Sequence, residues 1–261
     1  MTIAGVDPSG GAGVYADIKT FSAFGCFATA VISSITFQNT QKVFGAKHET
    51  AESVRKQFEP IADDFSINAL KTGMLPTREI IEETAELIKE YDLKNLVVDP
   101  VVRSTSGYDL IDDKALRSLI EKLFPIAEII TPNLPEAERI AEMNIETDAD
   151  IKKAAKIMQE MGAKNVLIKG GHLPSENTEK KAKDYYFTGD DLEILEKDFI
   201  NTNSTHGTGC TLAAAICANL ALGKNLLEAI KISKEFITVA ISTSPDIGKG
   251  NSPVNHLVEI V

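Results

Sequence analysis

The stretch His206-Gly207-Thr208-Gly209-Cys210-Thr211 places two glycines and a cysteine at the mouth of an apolar run, Thr211 to Leu222, that reads as a helix. The first turn of a helix leaves amide N–H groups unpaired and carries the positive end of the macrodipole. Such a turn holds phosphate and favours thiolate over thiol. Glycine at 207 and 209 lets the backbone close on an oxyanion, and the same field suits Cys210 to act as a base near neutral pH. The chemistry this predicts is transfer of a phosphoryl group. The competing reading is a buried cysteine that packs a helix start, with Cys217 two turns on as plain core.

Other residues have the chemistry to join that site. Gln38 offers a donor and an acceptor side by side, matching the edge of an aminopyrimidine; its alternative is a solvent-facing turn residue just after the second strand. Asn133 and Glu136 are hard-oxygen groups three residues apart, suited to ordering Mg²⁺ through its waters; helix capping explains them equally. Lys169 follows an apolar strand and brings a point charge toward nucleotide phosphates, unless it is an ordinary strand exit, and His172, with no ligand set nearby, reads as structural. Gly11, Gly13 and Ala16 fit a dinucleotide-type spacing and raise an oxidoreductase hypothesis. Against it, Ile32 to Gln38 offers no carboxylate for a ribose, and neither glycine cluster runs into Lys-Ser or Lys-Thr as a P-loop would.

The elements that must position these groups alternate. Thr2 to Val6 and Phe27 to Ile35 read as strands around a helix near Val14 to Phe24. Ala69–Thr72, Leu96–Asp99, Ile129–Thr131 and Val166–Lys169 read as later strands, with helices near Ala51–Phe65, Thr77–Tyr91, Asp112–Phe124 and Asp148–Met161. Ser175 to Lys181 reads as a solvated loop before a strand and hairpin at Asp184 to Phe187. Two apolar helices, Thr211–Leu222 and Leu226–Ile241, close the chain and both read as buried. This is an α/β pattern with a mostly parallel sheet, in one domain over residues 1–261. In such sheets ligands gather beyond the carboxyl ends of the strands, here Asp7, Thr72-Gly73, Asp99, Asn133 and Lys169-Gly170.

Composition narrows the function classes. A net charge of −11 over 261 residues argues against broad binding to nucleic acid or anionic membrane, so an anionic ligand needs local help from backbone amides. Three cysteines without metal-type spacing argue against a disulfide framework or structural zinc. No apolar run approaches a membrane span and the N-terminus has no signal-type stretch, so a cytoplasmic protein is expected.

Taken in order, Thr2-Ile3-Ala4-Gly5 with Asp7-Pro8-Ser9-Gly10-Gly11-Ala12-Gly13, Gln38-Asn39-Thr40, Lys71-Thr72-Gly73-Met74-Leu75, Val98-Asp99-Pro100-Val101, Thr131 to Glu138, Lys169 to Leu173 and His206 to Thr211 strongly resemble one family. It is the hydroxymethylpyrimidine/phosphomethylpyrimidine kinases of thiamine biosynthesis, in the ribokinase-like superfamily. The resemblance implies a three-layer α/β/α sandwich and an ATP- and Mg²⁺-dependent enzyme. It would phosphorylate 4-amino-5-hydroxymethyl-2-methylpyrimidine to the monophosphate and then to the diphosphate in one site. Carried over by position, Gln38 would read the aminopyrimidine, Gly5, Met74 and Val101 would line its pocket, and Asp17 would lie close by. Cys210 would be the base where most of the superfamily has aspartate. Gly207, Thr208, Gly209 and Cys210 would form the anion hole, Asn133 and Glu136 would organise Mg²⁺, and Lys169 would sit near ATP phosphate. Relatives also suggest a homodimer. One departure is Arg103, where many relatives have a lysine shortly before Ser-Gly. A pyridoxal or pyridoxine kinase and a non-catalytic pyrimidine sensor remain as competing readings.

Overall fold

The computed structural model describes residues 1–102, 110–171 and 181–258. Strand β1 (Thr2–Val6) opens the chain, and Ile3 and Ala4 are both buried because helices cover both faces of the sheet. Helix α1 (Gly13–Ala23) leads to β2 (Ala30–Gln38), parallel to β1, and β3 (Val43–His48) returns antiparallel as an edge. Helix α2 (Ala51–Asp64) then crosses to the other side of β1, where β4 (Leu70–Thr72) pairs with it. The chain steps outward through α3 (Arg78–Glu90), β5 (Leu96–Val98), α4 (Asp113–Lys122), β6 (Ile129–Ile130), α5 (Leu134–Ala141), α6 (Asp148–Glu160) and β7 (Asn165–Gly171). An antiparallel hairpin, β8 (Lys181–Thr188) and β9 (Asp191–Asp198), ends the sheet, and α7 (Thr208–Ala221) and α8 (Leu226–Ser242) follow. The strand order is β3-β2-β1-β4-β5-β6-β7-β8-β9, so the direction of winding reverses between β1 and β4. A crevice opens beyond the strand ends at such a reversal.

Period-two alternation sorts the core into two layers. Leu70, Val98, Ile130 and Val166 point to one face and pack with Phe58 of α2, Ile80 of α3, Leu119 of α4, Ile140 of α5 and Ile151 of α6. Their neighbours Ala69, Val97, Ile129 and Leu167 point to the other, against Phe21 of α1, Leu212 and Ile216 of α7 and Ile230 of α8. The result is the three-layer α/β/α sandwich the resemblance implied. Small residues, Ala213, Ala214, Ala215 and Ala218, let α7 sink against the sheet, and it is buried without a break from Thr211 to Leu220.

Several expectations need revision. Gln38 is the last residue of β2, paired with Val43, and not part of a turn after it. Strand β3 has no clean alternation and its residues are half-buried or exposed, so its order comes from pairing with β2, which hydrophobic pattern cannot show. Helix α7 starts three residues early, at Thr208, which takes Cys210 into its first turn. Helix α8 buries only one face, with Lys231 and Glu235 in solvent. His172, Arg103 and the 175–180 part of the expected loop lie outside the described residues, and Lys181 begins β8. Among the described residues no helix is long and apolar enough to cross a membrane.

Phe58 has no exposed surface and anchors α2 to the sheet, far in sequence from the strand-end crevice. Phe58→Ala should cost about 3–5 kcal/mol of stability in urea denaturation. A loss under about 1 kcal/mol would mean that α2 is not part of the cooperative core.

Candidate active site

A cleft of about 430 Å³ opens at the carboxyl ends of β1, β2, β4, β5 and β7. It brings together Gly5, Gln38, Met74, Val101, Asn133, Glu136, Lys169, Gly207, Thr208, Gly209 and Cys210. Asp7, Thr36, Asp99, Asp184, His206 and Lys234 line it as well.

The starts of α1 and α7 carry no side-chain cap, unlike those of the other α-helices. Side chains of Thr50, Thr77, Asp112, Asn133, Thr147 and Asn225 cap α2, α3, α4, α5, α6 and α8. Before α1, the Asp7 carboxylate accepts the amides of Ser9, Gly11 and Ala12 at 2.8, 3.2 and 3.0 Å. The N-cap of α7 is Gly207, which has no side chain to cap with. The Thr208 amide reaches Thr205 O and the Thr211 amide reaches Gly207 O. Among the described residues, the Gly209 and Cys210 amides between them find no acceptor. Two N–H groups and the positive end of the helix are thus left facing the cleft, as an anion hole requires.

Backbone contact fixes that turn. Gly207 has φ +81°, and a Cβ there would lie 1.8 Å from the carbonyl oxygen of Gly11. Only glycine allows this approach of the two glycine turns. His206 Nε2 ties them again, 2.7 Å from Asp7 Oδ2. Burial would raise the Asp7 carboxyl, but hydrogen bonds from His206 and Ser9 outweigh it and hold the group down to about 2. Asp7 fills the amides of Ser9 to Ala12, so that part of the first glycine turn is not open to a pyrophosphate, which weighs against the dinucleotide reading.

Lys169 supplies the charge beside the hole. A Cβ on Gly209 would come within 3.1 Å of Lys169 Nζ, so the ammonium lies against this turn. The same nitrogen is 2.9 Å from Asp99 Oδ1, which also accepts from Thr131 Oγ1 at 3.3 Å. Asn133 and Glu136 form a capping box: the Glu136 amide donates to Asn133 Oδ1 at 2.9 Å and the Asn133 amide to Glu136 Oε2 at 2.8 Å. Both also line the cleft, so capping and site chemistry coexist. Burial pushes the Glu136 carboxyl up to about 7; Lys169 opposes this and Asp99 adds to it. Among the described residues no group of three or more His, Cys, Asp or Glu could cage a metal. That donor set fits Mg²⁺ carried in on phosphates and held through its waters, the usual habit of this ion.

Two expectations fail here. Cys210 is partly exposed as a residue, yet burial of the cleft floor pushes its thiol up to about 11, with Lys71 opposing and Asp99 and Asp17 adding to the rise. Desolvation and the two carboxylates outweigh Lys71 and a hydrogen bond from the Gly13 backbone, which favours the thiol over the thiolate at neutral pH. Asp17 does not line the cleft. It is wholly buried beneath it, with Lys71 Nζ 2.9 Å from both oxygens and Thr2 Oγ1 donating at 2.6 Å, which leaves nothing to offer a substrate.

This arrangement agrees with what the chain is similar to. The profile of the family described as phosphomethylpyrimidine kinase matches residues 7–255. The chain belongs to the phosphomethylpyrimidine kinase family. The hydroxymethylpyrimidine/phosphomethylpyrimidine kinase of Haemophilus influenzae is 43% identical over 257 residues, covering 98% of this chain and 95% of that protein. A solved phosphomethylpyrimidine kinase from Clostridium difficile 630 superimposes with a TM-score of 0.80 at 43% identity, over 92% of this chain and 97% of the other. An ADP complex of Bacillus subtilis pyridoxal kinase gives 0.88 at 39% identity, over 98% and 95%.

In this family member, sequence reading missed Asp184 and Lys234, a buried pair in the cleft wall with Lys234 Nζ 2.6 Å from Asp184 Oδ2. A signal existed: Lys234 falls on the apolar face of α8, one turn from Ile230 and nearly one from Ile237.

Two measurements check these electrostatics. The native Glu136 value lies above the 4.5 of an ordinary glutamate, so its protonation stabilises the fold fully below pH 4.5 and that contribution is lost as pH rises through about 7. Relative to Glu136→Gln, the wild type should therefore lose urea stability between about pH 5 and about pH 8. A constant difference across that window contradicts the burial account. In a background of Cys26→Ser and Cys217→Ser, the iodoacetamide rate at Cys210 should titrate toward about 11. A midpoint below about 8 would restore the thiolate expectation.

Proposed function

We propose that this protein uses ATP and Mg²⁺ to phosphorylate 4-amino-5-hydroxymethyl-2-methylpyrimidine to its monophosphate and then to its diphosphate, as one domain. The observation that carries this reading is the open start of α7 in the same cleft as Lys169, Glu136 and Gln38. In-line phosphoryl transfer needs positioning and charge neutralisation more than a strong base. The Gly209 and Cys210 amides hold the migrating phosphoryl oxygens, and Lys169 adds a positive charge at the edge of that turn. When bound, Mg²⁺ supplies further charge neutralisation on the phosphates, with Glu136 and Asn133 placed to hold its waters.

A thiol near 11 does not take the proton of the alcohol early. Cys210, as a thiol, hydrogen-bonds and orients the hydroxyl, whose proton passes to an oxygen of the transferring phosphoryl group as the new P–O bond forms, which suits a loose transition state. Gln38 closes β2 at the cleft, where its carboxamide pairs with the amino group and adjacent ring nitrogen of the pyrimidine. Gly5, Met74 and Val101 provide the apolar wall. A cytoplasmic homodimer belongs to the same proposal, on cysteine usage and resemblance. Pyridoxal is the second substrate to test, because the Bacillus subtilis pyridoxal kinase shares the fold at 39% identity.

Phosphorus NMR of the wild type with ATP, Mg²⁺ and the pyrimidine should show monophosphate first and diphosphate later, and EDTA should stop both. Gln38→Leu should lower kcat/KM for the pyrimidine by about 10²-fold or more, because the ring edge is left unpaired. No phosphorylated pyrimidine, or a faster reaction with pyridoxal, would overturn the assignment.

A further inference from the structure

Asp184 and Lys234 form a charged pair almost as buried as the core, with side chains 8% and 10% exposed, and the phosphoryl-transfer mechanism above does not use it. Replacing a buried pair of this kind with apolar residues is often neutral or stabilising, so stability alone is a weak reason for it to sit in a cleft wall.

Its position relative to Lys169 supplies a reason. In the β7/β8 ladder Lys169 stands directly opposite Asp184, and two residues back Leu167 stands opposite Tyr186. Leu167 and Tyr186 both point into the core shared with α7 and α8, so Lys169 and Asp184 point to that same face. The Lys169 ammonium therefore has a carboxylate on either side: Asp184 across the ladder on β8, and Asp99 beyond β6 at the end of β5. Among the described residues, its hydrogen bond goes to Asp99, at 2.9 Å. Both oxygens of Asp184 are occupied, Oδ2 by Lys234 reaching in from α8 at 2.6 Å and Oδ1 by the Gly170 amide at 3.2 Å. That amide is available because the ladder slips between Lys169 and Gly171.

We propose that Lys234 is a positioning residue that occupies Asp184 and so keeps the Lys169 ammonium on the Asp99 side, against the Gly209 turn. This rests on the phosphoryl-transfer reading of that turn. Remove the Lys234 ammonium, and Asp184 becomes a buried, unpaired carboxylate one cross-strand step from Lys169. Lys169 then turns to it and leaves the anion hole.

The test is a double-mutant cycle combined with crystallography. Lys234→Met should lower kcat/KM for ATP by roughly 10- to 100-fold with KM for the pyrimidine little changed, and Lys234→Arg should retain activity. Adding Asp184→Asn to Lys234→Met removes the competing charge and leaves an acceptor for the Gly170 amide. This double variant should recover to within about threefold of wild type. A double variant that folds but is as impaired as Lys234→Met overturns the proposal and points to direct nucleotide contact by Lys234. If the single variant does not fold, the double variant alone decides, since it carries no unpaired charge. The crystal structure of Lys234→Met should show Lys169 Nζ on Asp184; Nζ still on Asp99 overturns the proposal. Absence of ATP-dependent phosphorylation in the wild type would sink the functional reading instead, and leave the crystallographic result to judge Lys169.

Discussion

Two glycine turns meet backbone to backbone in this fold, and only one of them has its amides filled. Asp7, at the end of β1, takes the N–H groups of the Ser9 to Ala12 turn, so that turn is a finished structural unit. The Gly207 turn leans on it through a contact with Gly11 that admits no side chain, and leaves Gly209 and Cys210 N–H open toward the cleft. Gly209 and Cys210 are half-buried, so these helix-start amides bond water until a stronger acceptor displaces it. In the proposed function, the transferring phosphate is that acceptor.

Charge in the cleft follows from that constraint. Lys169 is matched by Asp99, Lys234 by Asp184 and, beneath the floor, Lys71 by Asp17. Among the described residues, Lys197 at the rim is likewise paired, with Glu235. In the proposed function, a chain of net charge −11 binds its phosphate without a bare cationic patch: fixed amide dipoles hold it, and paired lysines add directed charge. Buried acids near Cys210 carry a consequence for mechanism. Burial raises the thiol to about 11, with Asp99 and Asp17 adding to the rise, and the proposed mechanism therefore rests on positioning.

Much of this was legible in the sequence because it depended on local signals. Alternating strands and amphipathic helices gave the parallel sheet, and strand-end residues Asp7, Asp99, Asn133 and Lys169 marked the cleft by the rule for doubly wound sheets. The glycine spacing around Cys210 marked the uncapped helix start that lines the cleft. Pairing across the sheet was not legible: β3 depends on β2 for its order, and Asp184 meets Lys234 only because β8 lies under α8. The state of Cys210 was misjudged because a helix-start argument counts one nearby dipole, whereas burial and the carboxylates of Asp99 and Asp17 come from distant parts of the chain. Asp17 was misplaced for a related reason, since it sits on α1 and its partner Lys71 comes from β4, 54 residues away.

Amide chemical shifts of the ¹⁵N-labelled protein, recorded with ADP, aluminium fluoride, Mg²⁺ and the pyrimidine alcohol, test the central claim most directly. The amide protons of Gly209 and Cys210 should move downfield as they gain an anionic acceptor, while those of Gly11 and Ala12, already bonded to Asp7, should hold their positions. Large shifts at Gly11 and Ala12 with none at Gly209 and Cys210 would place the phosphate at the other turn and contradict this account.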